Sequence, residues 1–263
     1  MDLKLSGKTI LLTGASSGIG KEVAYKAASQ GAQLILCARR LEKLEEIKAH
    51  CQQLGAKDVK VFSLDLSKPE TTDELMEFLF ANHLTIDVLI NNAGFGHSDP
   101  FIEMDFAQVI SLFKVNVFGL MYLTQKVAIK MLEQETGQII NVASLAGKVA
   151  TPDYSIYDAT KGAVISFSNA LRMELAPFNI QVTVVNFGPV NTPFFEQIES
   201  TRKEKGQNGL LTLSAERAGK IVTDAIGRNK REINAPFLLN LGAKLHHLVP
   251  TIGDYILMHY YNK

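Results

Sequence analysis

The chain has 263 residues, of which 46% are hydrophobic and 21% are charged. This composition is typical of a globular protein and excludes the fibrous and intrinsically disordered classes. Lys plus Arg and Asp plus Glu number 27 each. A chain without net charge exerts no overall attraction on nucleic acid, so we expect no nucleic-acid partner.

Short apolar runs alternate with longer amphipathic stretches as far as residue 186. The apolar runs predict six strands, at residues 9–12, 33–37, 59–64, 87–90, 138–142 and 181–186. The amphipathic stretches predict helices at residues 18–30, 41–54, 70–82, 106–133 and 154–176. Strands that are apolar on both faces are typical of a parallel sheet covered by helices on both sides. The sequence therefore predicts an α/β fold with a doubly wound, Rossmann-type parallel sheet.

The last part of the chain departs from this alternation. Residues 188–209 are polar, contain several glycines and exceed the length of most loops, which predicts a mobile lid over a substrate. Residues 237–261 are rich in Leu, Tyr and His and predict one helix, or two helices broken near Pro250. Because no linker or repeat divides the chain, we predict a single domain over residues 1–263 with a helical extension at 237–263.

Three roles are open for this extension: a flap over a substrate cleft, an oligomer contact, or an amphipathic segment lying on a membrane. Its few lysines and the interior Asp254 argue against strong lipid binding. We therefore rank the flap and the oligomer contact first, without excluding membrane contact.

The cellular location is predicted from three features. Two cysteines, Cys37 and Cys51, do not form a disulfide framework, which fits a reducing compartment. The first residues lack the apolar core of a signal peptide, and no stretch approaches the roughly 20 uncharged apolar residues of a membrane span. We expect a cytoplasmic protein.

A glycine-rich segment, Thr13-Gly14-Ala15-Ser16-Ser17-Gly18-Ile19-Gly20, joins the first predicted strand to the first helix. Glycines at this position let the backbone approach a pyrophosphate, which the free N–H groups and the positive end of the helix stabilise. The alternative is a glycine-rich turn that binds nothing. Its position after the first strand favours a dinucleotide site.

The end of the second predicted strand indicates which dinucleotide is bound. A carboxylate there would bind the ribose 2′-hydroxyl of NAD(H), but the chain has Arg39 and Arg40 instead. Two cations near a helix N-terminus are unfavourable unless an anion joins them, and guanidinium groups suit a phosphate. We predict NADP(H), although both arginines could simply be solvated. Asp65 and Leu66 could hold the adenine edge, or Asp65 could cap the next helix.

Tyr157 and Lys161 lie one helical turn apart on the same face of a predicted helix. A phenol has a pKa near 10, and a neighbouring ammonium favours its ionised form, so the pair could move a proton that an isolated tyrosine could not. Ser144 ends the preceding strand, where its hydroxyl could bind a substrate oxygen. In isolation, such a pair is more often an ordinary core and surface pair; the other motifs favour chemistry.

Taken together, these motifs closely resemble the short-chain dehydrogenase/reductase family. The resemblance covers residues from about 6 to 231 and rests on the glycine-rich segment, Asn91-Asn92-Ala93-Gly94, Asn116, Ser144, Tyr157 with Lys161, and Gly188-Pro189-Val190-Asn191-Thr192. The catalytic residues that it implies are Asn116, Ser144, Tyr157 and Lys161. The cofactor contacts that the motifs and the resemblance predict are Gly14, Ser16, Ser17, Gly18, Ile19, Gly20, Arg39, Arg40, Asp65, Leu66, Asn92, Ala93, Gly94, Tyr157, Lys161, Pro189, Val190 and Thr192.

The resemblance also assigns roles to the catalytic residues. Tyr157 would be the general acid for carbonyl reduction or the base for alcohol oxidation, and Ser144 would polarise the substrate oxygen. Lys161 would lower the pKa of the phenol and hold the nicotinamide ribose. Asn116 would position a water that links Lys161 to solvent, although it could instead be a helix-packing amide. No metal site is predicted.

The substrate side has fewer signals. Family members usually carry proline before the glycine that follows the sixth strand, whereas this chain has Phe187 before Gly188. The residues expected to line the substrate cleft are Phe95, Ser144, Leu145, Phe187, Phe194 and Phe195, with Val149 and His97 nearby. Several apolar groups around a few polar ones suit a hydrophobic ligand such as a lipid-like, aromatic or steroid-like ketone, although plain core packing would also explain them.

We therefore predict an NADP(H)-dependent oxidoreductase that acts on a carbonyl or alcohol. Two other classes are weighed against it: a catalytically silent regulator that binds the dinucleotide, and a structural or membrane-adapter protein acting through its tail. The complete set of Ser144, Tyr157 and Lys161 disfavours both, because neither needs a proton relay. The resemblance further implies a homodimer or homotetramer formed through the helices that carry Asn116 and Tyr157.

Overall fold

A parallel sheet of seven strands runs through the computed structural model, which describes residues 4–194 and 211–261. The strands are β1 (Thr9–Thr13), β2 (Gln33–Ala38), β3 (Val59–Ser63), β4 (Val88–Asn91), β5 (Gly137–Ser144), β6 (Ile180–Phe187) and, after a separate pair, β9 (Glu232–Ala235). Their order across the sheet is β3-β2-β1-β4-β5-β6-β9. The predicted doubly wound α/β fold is confirmed, with one strand more than the sequence predicted.

Helices cover the two faces of this sheet. They are α1 (Gly18–Ser29), α2 (Leu41–Gln53), α3 (Pro69–Ala81), α4 (Phe106–Phe113), α5 (Leu120–Glu133), α6 (Ser155–Leu175) and α7 (Ala215–Ala225). The central strands are buried along both faces; every residue of β1, for example, is buried. Because β1 pairs with both β2 and β4, the strand order reverses at β1, and ligand sites of such sheets lie outside the carboxyl ends of the strands at that point.

One predicted helix has a break in its hydrogen-bond pattern. Residues 106–133 form α4 and α5 joined by a π-helical segment, Lys114–Gly119, which contains Asn116. π-helical turns are rare in proteins, and those that occur are often found at functional sites. Phe106–Glu133 is also long and apolar enough, by length and composition alone, to cross a membrane. A core helix can be equally long and apolar, and Leu120, Leu123 and Val127 of α5 are buried against the fold.

The sequence analysis missed β9 and α7. The side chains of Glu232 and Asn234 on β9 accept hydrogen bonds from Asn186 Nδ2 at 2.7 and 2.8 Å. A strand with polar residues at alternate positions does not form an apolar run, which explains why the search for such runs overlooked it. α7 packs its small residues against α1, where a Cβ on Gly219 would lie 2.6 Å from Glu22 Cβ.

The tail forms two helices, α8 (Phe237–Leu248) and α9 (Pro250–Tyr261). They meet at Val249, so the prediction of a break near Pro250 is confirmed. Ahead of them, β7 (Val190–Asn191) pairs in parallel with β8 (Leu213–Ser214). This pair joins the two ends of the predicted lid, residues 188–209, of which 195–209 lie outside the described residues.

Candidate active site

The glycine-rich segment packs too closely for side chains at two of its glycines. Gly14 has a φ of +67°, and a Cβ there would lie 2.8 Å from Ala93 Cα. A Cβ on Gly20 would lie 2.2 Å from Gly14 O. Only glycine fits both positions, and the turn that results brings backbone, not side chains, to the start of α1. This is the cradle that a pyrophosphate requires.

The N-terminus of α1 faces this turn. Ser17 occupies the N-cap position in an extended conformation, and its hydroxyl caps none of the first N–H groups within the described chain. These N–H groups and the helix dipole favour an anion. Across the cleft, the Thr192 side chain lies 3.3 Å from the position of a Cβ on Gly18. The predicted dinucleotide therefore has a site that fits its phosphates and a polar residue opposite.

Arg39 and Arg40 follow β2 at the same edge of the sheet. Arg40 donates a hydrogen bond from Nη2 to Ser16 Oγ at 3.0 Å, so it already contacts the glycine-rich turn. Asp65 accepts hydrogen bonds from the Ser67 backbone N–H and hydroxyl at 3.0 and 2.7 Å. Burial opposes ionisation of Asp65, but these bonds and the charges of Arg39 and Lys68 lower its pKa. Asp65 is therefore an anion near the exposed guanidinium group of Arg39.

Asn92 and Ala93 are fixed by the end of β1. The Thr13 hydroxyl accepts hydrogen bonds from the backbone N–H groups of Asn92 and Ala93 at 3.0 and 3.1 Å. The Asn92 side chain donates to the carbonyls of Thr13 and Gly14 at 3.1 and 3.2 Å. Asn92 thus rigidifies the turn on which a cofactor would lie.

Ser144, Tyr157 and Lys161 converge on one cavity from β5 and α6. Lys161 Nζ lies 5.6 Å from the centroid of the Tyr157 ring and donates to Val142 O at 3.4 Å. Ser144 ends β5, where its hydroxyl donates to Phe187 O at 3.2 Å. The Ser144 hydroxyl also lies close enough to the Tyr157 hydroxyl to influence the pKa of the phenol. The predicted catalytic residues other than Asn116 are therefore neighbours in space.

Burial dominates the electrostatics of this group. It raises the pKa of the Tyr157 phenol; the nearby Ser144 hydroxyl lowers that pKa and the charge of Asp158 raises it further. Burial also lowers the pKa of Lys161 to about 8. Removal from water disfavours the charged form of both groups, so the phenol is the protonated partner in the protein alone. The predicted lowering of the pKa of Tyr157 by Lys161 stays a prediction.

Asn116 lies one layer behind this group. Its amide accepts a hydrogen bond from the Phe95 N–H at 3.0 Å and donates to Phe95 O at 2.8 Å and to the Thr160 hydroxyl at 3.2 Å. A Cβ on Gly94 would lie 3.0 Å from Asn116 Oδ1 and 3.5 Å from Lys161 Nζ. Asn116 therefore sits beside Lys161, behind Gly94, and holds the strand-to-loop turn after β4.

A cavity of about 1940 Å³ joins the glycine-rich turn to Tyr157. It exceeds the roughly 300–1,000 Å³ of a single ligand pocket and so has room for a dinucleotide and a second molecule. The predicted residues on its wall are Gly14, Ser16, Ser17, Gly18, Ile19, Arg39, Arg40, Asp65, Leu66, Asn92, Ala93, Gly94, Phe95, Ser144, Leu145, Val149, Tyr157, Lys161, Phe187, Pro189, Val190, Thr192 and Phe194.

Four predicted residues do not belong to that wall as described. Gly20 packs beneath the turn against Gly14, and Asn116 lies behind Gly94. His97 is buried with its Nε2 2.6 Å from Asp99 Oδ2, so it pairs with a neighbour instead of facing the cavity. Phe195 lies outside the described residues.

Phe187 shows what replaces the family's proline. Strand β6 continues through Phe187, which is paired with Ser144 on one side and Ala235 on the other. Proline lacks the N–H that a strand interior uses, whereas phenylalanine lets the sheet extend beside Ser144. Phe187 is 3% exposed and also lines the cavity. Phe187 therefore both packs in the core and lines the cavity.

The sequence analysis missed a loop that covers the substrate side. Thr151, Pro152 and Tyr154 line the cavity. Asp158 holds this loop, because its Oδ2 accepts hydrogen bonds from the Thr151 N–H and hydroxyl at 2.7 and 3.1 Å. Burial raises the pKa of Asp158 to about 7, although the Thr151 bonds lower it. The one signal in the sequence that could have identified Asp158 is its position next to Tyr157.

The tail lines the same cavity, which favours the flap among the roles predicted for it. The residues of α8, α9 and their junction that line the cavity are Leu238, Leu239, Gly242, Ala243, Leu245, His246, Val249, Ile252, Gly253, Ile256 and Leu257. The sequence analysis ranked a flap and an oligomer contact first of three roles for the tail. The structure places apolar residues of the tail on the wall of the cavity that Ser144, Tyr157 and Lys161 also line.

Comparisons with known proteins show which family the chain resembles. Residues 8–203 match the family model of the short chain dehydrogenases. The chain is 32% identical over 260 residues to an 11-beta-hydroxysteroid dehydrogenase-like protein of Arabidopsis thaliana, covering 96% of this chain and 81% of that one. It is 34% identical over 241 residues to an NADP-dependent 3-hydroxy acid dehydrogenase of Schizosaccharomyces pombe, covering 90% and 93%.

A solved structure gives the same fold. The short-chain dehydrogenase from Sphingobium yanoikuyae in complex with NADPH superposes with a TM-score of 0.80 at 27% sequence identity, covering 95% of each chain.

Proposed function

Because the chain belongs to the short-chain dehydrogenase/reductase family of oxidoreductases, we propose that it transfers hydride between NADP(H) and a carbonyl or alcohol carbon of a hydrophobic substrate. Tyr157 would be its general acid and base. The observation that carries this proposal is the convergence of Ser144, Tyr157 and Lys161 on the cavity that also contains the glycine-rich turn.

The proton step follows from the state of the phenol. Because burial raises the pKa of Tyr157, the phenol is protonated at neutral pH and able to donate to a substrate oxygen. Ser144, close to the same hydroxyl, would orient that oxygen by a hydrogen bond. Lys161, with its pKa lowered to about 8, is mostly charged at neutral pH and stabilises the phenolate left after donation.

The dinucleotide supplies the hydride when it is bound. The residues that would hold it are the glycine-rich turn, the free N–H groups of α1, and Thr192 opposite. Arg39 and Arg40 support NADP(H) over NAD(H), because guanidinium groups bind a 2′-phosphate. The similarity to an NADP-dependent enzyme of Schizosaccharomyces pombe and to the NADPH complex of the Sphingobium yanoikuyae enzyme supports that preference.

The substrate side supports an apolar ligand. The rings of Tyr154 and Phe194 lie 6.4 and 5.9 Å from that of Tyr157, centroid to centroid. Leu145, Val149 and Phe187 complete the nearby wall. Apolar groups surrounding a few hydrogen-bonding ones are typical of a site for a hydrophobic ketone.

We also propose a homodimer or homotetramer in the cytoplasm. Large apolar side chains on α4, α5 and the segment between them are exposed, among them Phe106 (67%), Phe118 (59%) and Ile129 (50%). A second copy would remove these surfaces from water. The free thiols of Cys37 and Cys51 suit a reducing compartment. Light scattering of the purified protein gives its mass in solution and tests the oligomer.

The proposed activity is tested with a panel of ketones and aldehydes. Each is incubated with the protein and with NADPH or NADH, and the loss of nicotinamide absorbance is followed. We expect turnover of apolar ketones with NADPH and much slower turnover with NADH. Binding of NADPH with no turnover of any carbonyl or alcohol, in either direction, would instead favour the silent regulator.

A further inference from the structure

The cavity does not end at Tyr157 but continues along the C-terminal helices. Of the described residues of α8 and α9 that line it, only His246 carries a polar side chain. The wall on this side is made of leucine and isoleucine, with small residues at Gly242, Ala243 and Gly253. A wall of this kind offers almost no hydrogen bond to a ligand and can only contact hydrocarbon favourably.

Several of these wall residues are largely exposed. Leu238 is 60% exposed, Leu245 53%, Ile252 58% and Ile256 60%. Exposed apolar surface is unfavourable in water, so a ligand that covers it is bound more tightly. These residues therefore form an apolar groove that is open at one side.

The groove is continuous with the catalytic group. A Cβ on Gly188 would lie 2.5 Å from Leu239 Cδ1, so α8 packs directly on the residue after Phe187. The Gly188 N–H donates to Ala235 O at 2.8 Å, which ties this segment to the strand before α8. Phe187 O in turn accepts the Ser144 hydroxyl. A ligand whose oxygen meets Ser144 and Tyr157 has the α8–α9 groove as its next neighbour.

We propose that α8 and α9 bind the hydrocarbon portion of an elongated apolar ketone or alcohol, which makes the tail a substrate-binding element. This inference rests on the proposed function and adds to it the shape of the substrate. Leu238 and Leu245 are seven residues apart on one helix, which corresponds to about 10 Å and a hydrocarbon chain of about eight carbon atoms.

The charges of the tail favour a substrate over a lipid surface as occupant. Lys244 is the one lysine or arginine among residues 237–261. Amphipathic helices that lie on membranes are usually rich in these residues on their polar face. A second copy of the chain could also cover exposed leucines, but it would not need them to line the cavity of the catalytic group. Both alternatives are outcomes of the test.

The test compares a homologous series of 2-alkanones, from 2-butanone to 2-undecanone, with NADPH at saturation. Full burial of a methylene contributes about 0.8 kcal/mol, or about fourfold. Partial burial reduces this gain, so we expect kcat/KM to rise about two- to fourfold per carbon before it levels off. Turnover of 2-butanone with no dependence on chain length would overturn the groove and leave the proposed function standing.

Two variants locate the effect on α8. Leu245→Asn changes a residue of the groove, and Leu241→Asn changes one that is 43% exposed on the same helix but is not among the cavity wall residues. Both side chains are exposed enough that neither variant threatens folding. We expect Leu245→Asn to flatten the dependence on chain length and Leu241→Asn to keep it. An equal dependence of kcat/KM on ketone chain length in both variants would contradict the proposal.

A binding measurement separates this inference from the activity. Heat unfolding is followed with 2-undecanone or 2-butanone and no dinucleotide, because a ligand that binds the folded state raises the Tm. We expect 2-undecanone to raise the Tm of the protein and of Leu241→Asn but not of Leu245→Asn. Any of three results would overturn the groove. The first is that 2-undecanone does not shift the Tm of the protein. The other two combine a kcat/KM that does not depend on ketone chain length with either loss of self-association in Leu245→Asn or binding of the protein to anionic phospholipid vesicles.

Discussion

The two ends of the cavity are built in different ways. The dinucleotide end is made of backbone from the turns that follow two neighbouring strands of the sheet. These are the glycine-rich turn after β1 and Asn92-Ala93 after β4, which the Thr13 hydroxyl holds together. The substrate end is made of side chains from segments far apart in the chain, the loop at Thr151 and the helices α8 and α9. The first end offers backbone N–H groups that suit a phosphate, and the second offers apolar side chains that suit hydrocarbon.

This difference explains what each end tolerates. A Cβ on Gly20 would lie 2.2 Å from Gly14 O, whereas a Cβ on Gly242, at the substrate end, meets nothing within 4 Å. The dinucleotide end is therefore restricted by backbone atoms, while the glycines of the tail meet either open space, as at Gly242, or a side chain, as at Gly253, where a Cβ would lie 2.2 Å from His246 Cδ2. Substrates of different shape could be accepted by changing the tail without disturbing the turn that binds phosphate.

Tyr157 lies where the two ends meet, and its loss should have the largest effect. Tyr157→Phe removes the proton donor but keeps the ring, so we expect kcat to fall by about 10²–10⁴-fold. NADPH affinity and the Tm shift caused by 2-undecanone should stay near those of the unchanged protein. Single-turnover absorbance and NADPH fluorescence titration measure the two effects. Retained turnover would remove Tyr157 from the reaction.

Arg39→Ala should affect the dinucleotide end alone. Hydrogen bonds to charged groups contribute about 1.5–3 kcal/mol, and because Arg39 is exposed we expect the lower part of that range, about a tenfold weaker NADPH affinity. NADH, without the 2′-phosphate, should bind as before. Arg217→Ala, an exposed arginine of α7 that is not among the cavity wall residues, is the matched control. An equal loss for both dinucleotides would exclude a 2′-phosphate contact.

Asp158→Asn should affect the substrate end and give a pH-dependent gain in stability. The Asp158 carboxyl has a pKa raised to about 7 by burial, against about 3.9 in an unfolded chain. Between these values the folded protein binds the additional proton, so the free energy of unfolding decreases as pH rises from about 4 to 7 and then levels off. Asparagine removes this decrease.

The prediction is that Asp158→Asn raises the Tm by at least about 2 °C at pH 8 and has no effect at pH 4. Because an amide accepts the Thr151 bonds less strongly than a carboxylate, KM for a 2-alkanone should rise by a few-fold while NADPH affinity stays unchanged. Thr151→Val, which keeps the backbone bond and removes the hydroxyl bond, should raise KM without the pH-dependent gain. A Tm difference that is the same at both pH values would refute the assignment.

The two ends also differ in how much the sequence reveals. The glycine-rich turn, Arg39, and the Tyr157–Lys161 pair are local patterns whose spacing follows from a strand-to-helix turn or one helical turn, so their positions could be predicted. The six strands with apolar runs could be predicted for the same reason. Asn116 could be named only by resemblance, since a single amide inside a predicted helix carries no local signal of a function and the π-helical segment around it is apolar like the rest of that helix.

The substrate end could be predicted only in part: Leu145 and Phe187 follow from the ends of predicted strands, but the contacts of the Thr151 loop and of the tail depend on packing across the chain. Asp158 reaches Thr151 by a bond across seven residues, and Leu239 reaches Gly188 from the last helical hairpin. β9 was missed because it is held by bonds from Asn186 to Glu232 and Asn234. The raised pKa of Tyr157 also depends on burial, a property of the folded protein that the Tyr–Lys spacing does not contain.

The most direct test of the account is a crystal structure of the protein with NADP⁺ and a 2-alkanone bound together. The account predicts the Tyr157 hydroxyl within about 3 Å of the ketone oxygen, with Ser144 donating to the same oxygen and the alkyl chain against α8. A Tyr157 hydroxyl that faces away from the ketone while both ligands are bound would contradict it.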